Sequence, residues 1–216
     1  MSSTRIHYRQ VALLGAILFF NVASQSQGKP AAAAKPPTPS KEDAQIYRNS
    51  TYRFRYQIPF GWVERTKQMQ EGNADSKGEV LLAVFERPPE ATGNTVNSAV
   101  VIASESAESY PGLKNAEDYL GPLTELTTSK GFQSDGDSSI VEIDGRQLVR
   151  ADFTKQLDTR KSDATGNDEN LSMRQTTLVM IARHQIVSFT FIGGSEDELD
   201  SLLSNLHFGV AKPTPR

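Results

Sequence analysis

Apolar and polar side chains alternate along TYRFRYQI, residues 51 to 58: Tyr52, Phe54, Tyr56 and Ile58 share one parity, Arg53, Arg55 and Gln57 the other. A period of two puts the sets on opposite faces, which predicts a strand with its aromatic face inward. Pro59 lacks a ladder donor and Gly61 permits a sharp bend, so the strand ends there and Trp62 is expected in a corner of the core. KGEVLLAVFER (78–88) and VNSAVVIASES (96–106) are runs rich in Val, Leu and Ile and predict two central strands. In SSIVEIDGRQLVRADFTKQ the Asp144-Gly145 pair is a type I′ hairpin signal, and Val149, Ala151 and Phe153 alternate after it. LSMRQTTLVMI and QIVSFTFIGG give two more strands, joined tightly at Ala182 to His184. Residues 64–78, 88–97 and 157–170 are expected as exposed loops, where recognition residues usually sit.

Two stretches carry a helical period instead. Asn115 can cap a helix whose face holds Ala116, Leu120, Leu123 and Leu126, with Gly121-Pro122 expected to kink or split it. Ser195 and Glu198 form a capping box ahead of a stripe of Leu199, Leu202, Leu203 and Leu206. Antiparallel strands with two substantial helices predict the α+β class: an antiparallel sheet of about six or seven strands flanked by helices.

The first 24 residues change the picture of where this domain works. Arg5 and Arg9 precede the short apolar run VALLGAILFF, and Val22 and Ser24 are small enough to flank a cleavage site, so residues 1–24 are expected to be an export signal. A retained membrane anchor is the other reading of the segment; its apolar run falls short of the roughly 20 residues a spanning helix needs. Residues 25–43, rich in Pro, Ala and Lys, are expected to be a disordered spacer, residues 44–210 a single domain, and residues 211–216 a disordered tail. The expected location is periplasmic or extracellular. With no cysteine in the chain, the domain must be held by its core alone. The formal charge is −3, and loss of Arg5 and Arg9 takes it to about −5. Such a chain repels phosphate backbones unless its bases cluster.

YRNSTYRFRYQIPFGW resembles the opening motif of the PsbP-like and Mog1-like families, carried here by Tyr47, Tyr52, Phe54, Ile58, Pro59, Gly61 and Trp62. DELDSLLSNLHFGV is similar to the last helix and short final strand of those families, ending at Phe208. Arg53 departs from the pattern, in which a glycine often precedes the phenylalanine. The resemblance implies an α/β/α sandwich whose known members are mostly non-catalytic, and it transfers no partner.

Few residue patterns in the chain point to chemistry. Interleaved Arg53, Phe54, Arg55 and Tyr56 look like a base-stacking strand, but such a strand presents aromatics and bases on one face, and here they alternate. No nucleic-acid partner is therefore expected. Signal removal leaves His184 and His207, the first at an expected hairpin tip and the second at a helix end, where structural roles are the simpler reading. Asp135 and Asp137 in SDGDSS, and Asp163, Asp168 and Glu169 in SDATGNDEN, are oxygen ligands of the calcium type without the spacing of a calcium loop. Solvated turns use the same residues. No catalytic, cofactor-binding or metal residue is assigned and no cofactor is implied. Two functions remain: an exported, non-catalytic binding or accessory module with a protein partner in the envelope or extracellular space, and a secreted hydrolase using His184 and loop carboxylates.

Overall fold

Four long strands with apolar residues on both faces form the centre of the structure, a computed structural model that describes residues 45–72, 78–91, 95–157 and 171–209. The expected signal, spacer and tail, and the stretch with Asp163, Asp168 and Glu169, lie outside the described residues. The central strands are β4 (Gly78–Phe85), β5 (Ala99–Ser106), β9 (Leu171–Ala182) and β10 (Gln185–Gly193). They belong to an eight-stranded sheet in the order β3-β4-β5-β10-β9-β8-β6, with β3 at Val63–Glu64, β8 at Arg146–Leu157 and β6 at Gln133–Ser134; β7 (Ser139–Ile143) also pairs with β8. Every pair is antiparallel. A second sheet of three strands, β1 (Ile46–Asn49), β2 (Phe54–Gln57) and β11 (Leu206–Phe208), runs in the order β1-β2-β11. The α+β class expected from the sequence is what forms, with more strands because the short β1, β3 and β6 are too brief to show a period.

A sheet that is apolar on both faces must be covered twice. On one face Val101, Ala103, Phe153, Val179 and Ile186 pack against Tyr119 and Leu123 from the crossover after β5. That crossover is a 3-10 turn at Glu117–Tyr119 running into α2 (Leu120–Ser129). Asn115 Oδ1 accepts from the Asp118 N–H, and Asp118 Oδ2 accepts from the amides of Lys114 and Asn115, so the cap is reciprocal. Pro122 falls in the first turn of α2, where a missing N–H costs no helical bond, so the expected break is the change from 3-10 to α. Thr127 is buried in place of Leu126, with its hydroxyl donating to the Leu123 carbonyl at 2.8 Å.

On the other face Val100, Ile102, Phe189 and Phe191 meet Tyr52, Phe54, Tyr56 and Ile58, together with Leu199 and Leu202 of α3 (Glu196–Leu203). The aromatic parity of residues 52–58 points inward as its alternation predicts. Ser195 caps α3 by accepting from the Glu198 N–H at 3.2 Å, while the Glu198 carboxylate turns back to the Gly194 N–H at 2.8 Å and accepts from Ser98. A Cβ on Gly193 would sit 3.0 Å from that carboxylate.

Two expectations need correction. Trp62 packs at the rim of the second core, half-buried, because the Pro59–Gly61 turn swings outward and leaves Phe60 68% exposed. The stretch 64–78 holds the helix α1 (Thr66–Gly72), which has no fully buried residue and so no apolar stripe to read. Its purpose lies in its polar side chains: Gln70 donates to the Val80 carbonyl at 2.7 Å, and Thr66 Oγ1 accepts from the Ala83 N–H at 3.1 Å. These bonds occupy the outer edge of β4, which would otherwise offer a pairing template.

Tight turns set the register. Asp144 and Gly145 have φ of 48° and 78°, the two positive values of a type I′ turn, and Arg183 and His184 repeat the device at 53° and 61° without glycine. Arg53 also lies at φ 61°, which explains physically why glycine suits its position in the motif that the sequence resembles. Gly145→Val is expected to lower stability by about 1–3 kcal/mol, whereas Arg53→Gly holds it or raises it by up to about 1 kcal/mol. Urea unfolding of the two variants checks both signs.

Candidate functional site

The outer edge of β8 is shared by two short strands. β7 pairs with Arg146 to Arg150 and β6 with Phe153 and Thr154, leaving Ala151 and Asp152 between them with no strand opposite. The connection from Asp135 to Ser138 bows away there, with Gly136 at φ 80° making the bend possible. The Asp135 N–H crosses the gap, donating to the Asp152 carbonyl at 2.8 Å. The bow and the outer side of α2 enclose a cleft of about 530 Å³ lined by Thr124, Glu125, Thr128, Ser134, Asp137 and Asp152, among others. A smaller cleft of about 280 Å³ lies on the α3 side of the same edge, where Asp152 meets Arg150, Arg174, Glu196 and Asp200.

Side chains in the smaller cleft are fixed by one another. Arg150 Nε bonds Asp152 at 2.8 Å, and the Thr176 hydroxyl donates to the other oxygen of Asp152 at 2.6 Å. Arg174 reaches Glu196 at 2.9 Å and Asp135 at 3.4 Å, and the Thr154 hydroxyl donates to Asp135 at 3.0 Å. Arg150, Asp152 and Arg174 keep about a third of their side-chain surface exposed, at 30%, 31% and 31%. Pairs so exposed contribute roughly 0–1 kcal/mol each, so their effect is to hold charges in place more than to stabilise the fold. Asp135, Asp152, Glu196 and Asp200 outnumber the two arginines, and the larger cleft adds Glu125 and Asp137 with no basic residue in its lining. The edge offers fixed acceptors to a cationic group.

The candidates read from the sequence do not converge. Asp135 is engaged by Arg174 and Thr154, while Asp137 lines the other cleft, so the SDGDSS pair aims at two different places. Among the described residues no group of three His, Asp or Glu side chains could hold a metal ion. His184 is exposed at the β9–β10 turn, beyond Ala182. Asp135 lies by Arg174, eight residues back along β9 and so about 27 Å away. His207 pairs with Asp144 at 3.2 Å, and the Phe208 N–H donates to the same Asp144 oxygen at 3.0 Å. That amide, first, and then His207 hold the Asp144 carboxyl below its ordinary value.

A second polar cluster is buried. Glu105 is 6% exposed and its two carboxyl oxygens accept from Tyr110 at 2.7 Å and Tyr119 at 2.6 Å. The rings stand edge to face at 5.1 Å. Burial, reinforced by Glu105, pushes both phenols well above the ordinary tyrosine value. The cluster ties the crossover to β5 and opens on neither cleft. Neither this cluster nor the set of Arg150, Asp152 and Thr176 is legible in the sequence, because Tyr119 and Thr176 join through the fold, and Arg150 and Asp152, two residues apart on β8, look like an ordinary solvated strand face.

No family model matches the chain, and no curated protein matches it. Solved structures similar to it include a cyanobacterial PsbP from Synechocystis, at 13% identity and a TM-score of 0.48, covering 81% of this chain and 98% of that one. A Pseudomonas aeruginosa protein of unknown function, described as a putative regulator, aligns at 16% identity and a TM-score of 0.36 over 80% and 99%. LpqN, involved in cell envelope biogenesis of Mycobacterium tuberculosis, aligns at 11% and 0.37 over 81% and 90%. PsbP is a family whose opening motif the sequence resembles. At these identities and scores no activity, ligand or partner transfers.

The tyrosine pair gives a pH dependence of defined sign. A folded-state value raised above the unfolded one means the native protein holds the proton longer, so stability is full below about pH 10 and falls as pH rises beyond it. Urea unfolding across that range is expected to show the fall, and Tyr119→Phe to make it shallower. A flat profile, or an unchanged slope in the variant, contradicts the buried arrangement.

Proposed function

We propose that the protein is an exported, non-catalytic accessory module that binds a protein partner through the acidic edge around Asp152. The observation that carries this reading is the interlocked set of Arg150, Asp152, Arg174, Asp135 and Glu196, open to solvent, backed by the buried Thr176 and fixed before any partner arrives. Preorganised charges lose little entropy on binding and discriminate by geometry. The excess of carboxylates suits a partner that presents lysine or arginine side chains. Export rests on the character of residues 1–24, and the Pro-rich spacer would let the domain reach its partner at a distance. The hydrolase reading draws no support from the geometry, since Asp135 lies beside Arg174, far along β9 from the turn that holds His184, and among the described residues no carboxylate bonds to the His184 ring.

Affinity capture from the envelope or medium, followed by titration of the recovered partner, tests the proposal. A partner is expected in stoichiometric amount, with Asp152→Asn weakening its binding about tenfold, the scale of one charge-assisted contact. Loss of substrate turnover in His184→Ala, with no partner recovered, would establish the hydrolase instead.

A further inference from the structure

The inward aromatics of β2 have a counterpart on the outside of the small sheet. Arg48 on β1 lies directly across from Arg55 on β2, and Arg55 directly across from His207 on β11, so three basic residues form one row over three strands. Arg53 adds a fourth, exposed at the end of β2. Like charges directly opposite one another destabilise a sheet, and among the described residues none of Arg48, Arg53 and Arg55 forms an ion pair. The nearby Asp144 is bound by His207 and the Phe208 amide. An acidic chain has thus gathered bases on one face, where Asp144, paired with His207 and in the field of Arg55, offsets only part of their repulsion.

Exposed apolar groups lie at one end of this sheet. Three large apolar side chains are exposed among the described residues, and two belong to this end of the sheet: Ile46 at 42%, two residues before Arg48 on the same face of β1, and Phe60 at 68% in the turn that follows β2. The turn holding Phe60 leaves β2 at the end where β1 begins, since the Ile58 N–H donates to the Gln45 carbonyl at 2.8 Å. Guanidiniums along a sheet that ends in a protruding phenylalanine and isoleucine suit a surface with anionic headgroups above and hydrocarbon beneath. A soluble acidic protein accounts for the arginines but leaves Phe60 without a role.

We infer that this face docks the protein on an anionic phospholipid bilayer, with Arg48, Arg53 and Arg55 on lipid phosphates and Phe60 in the interface. Co-sedimentation tests it, using the full chain as processed by an exporting host, with vesicles of phosphatidylcholine alone or mixed with phosphatidylglycerol. Binding is expected on the mixed vesicles, weakening as salt is raised. Arg48→Gln/Arg55→Gln is expected to lower it about thirtyfold at low salt, some fivefold for each charge. Arg48→Lys/Arg55→Lys, which keeps the charge, retains most of the binding and separates charge from any effect on folding. Phe60→Ser lowers it several-fold without changing the salt dependence. Equal binding to both vesicle types, or unchanged binding in the Gln pair, overturns the inference. So does tighter binding to soluble polyglutamate than to vesicles, which would assign the face to an acidic protein. No protein partner enters the measurement, so its failure leaves the reading of the acidic edge standing.

Discussion

Phe54 meets Phe189 edge to face at 5.1 Å, and Tyr56 lies against Phe191 at 6.2 Å; on these contacts the second layer of the protein depends. The central strands are apolar on both faces and cannot leave either to water. Phe208 of β11 closes on Phe189 at 5.7 Å, so the aromatic contacts draw in two strands of the small sheet. Strand geometry then leaves no choice for the neighbours. With Phe54 and Tyr56 inward, Arg55 must face out, and β1 and β11 bring Arg48 and His207 level with it. The basic row follows from the aromatic interlock.

The opposite face and the edges obey the same economy of covering. The crossover with Tyr110 and Tyr119 is fastened to the sheet through Glu105, and α1 spends its polar side chains on the edge of β4. The edge of β8 is covered incompletely by β6 and β7, and that shortfall is the origin of the cleft at Asp152. Two surfaces of opposite charge result, one acidic at the edge of the large sheet and one basic on the outside of the small sheet. Under the two proposals the basic face meets lipid and the acidic edge remains to receive a partner.

How much of this the sequence discloses depends on whether the cause is local. Tyr52, Phe54, Tyr56 and Ile58 announce their face by parity, Asp144-Gly145 announces its turn, and Ser195 with Glu198 announces the start of α3. Strands of two residues such as β3 and β6 have no period to read, and α1 has no apolar stripe because its work is hydrogen bonding to β4. Trp62 looked like a core residue by type, yet the outward turn at Phe60 keeps it at the rim. The sites are less legible still. Arg48 and Arg55 become neighbours only through pairing, and Asp152 draws partners from β9 and from the connection after β6 as well as from its own strand. Their individual residues look like an ordinary solvated face.

The central claim is that aromatic packing between the two sheets decides which side chains the small sheet presents. A double-mutant cycle on Phe54→Leu and Phe189→Leu, read by urea unfolding, tests it most directly. The account predicts a coupling of about 0.5–1.5 kcal/mol, the range for an edge-to-face aromatic pair beyond its buried area. Costs that add to within about 0.3 kcal/mol would mean the rings do not meet, and the inward assignment of the aromatic row, with the outward row of arginines, would fall with them.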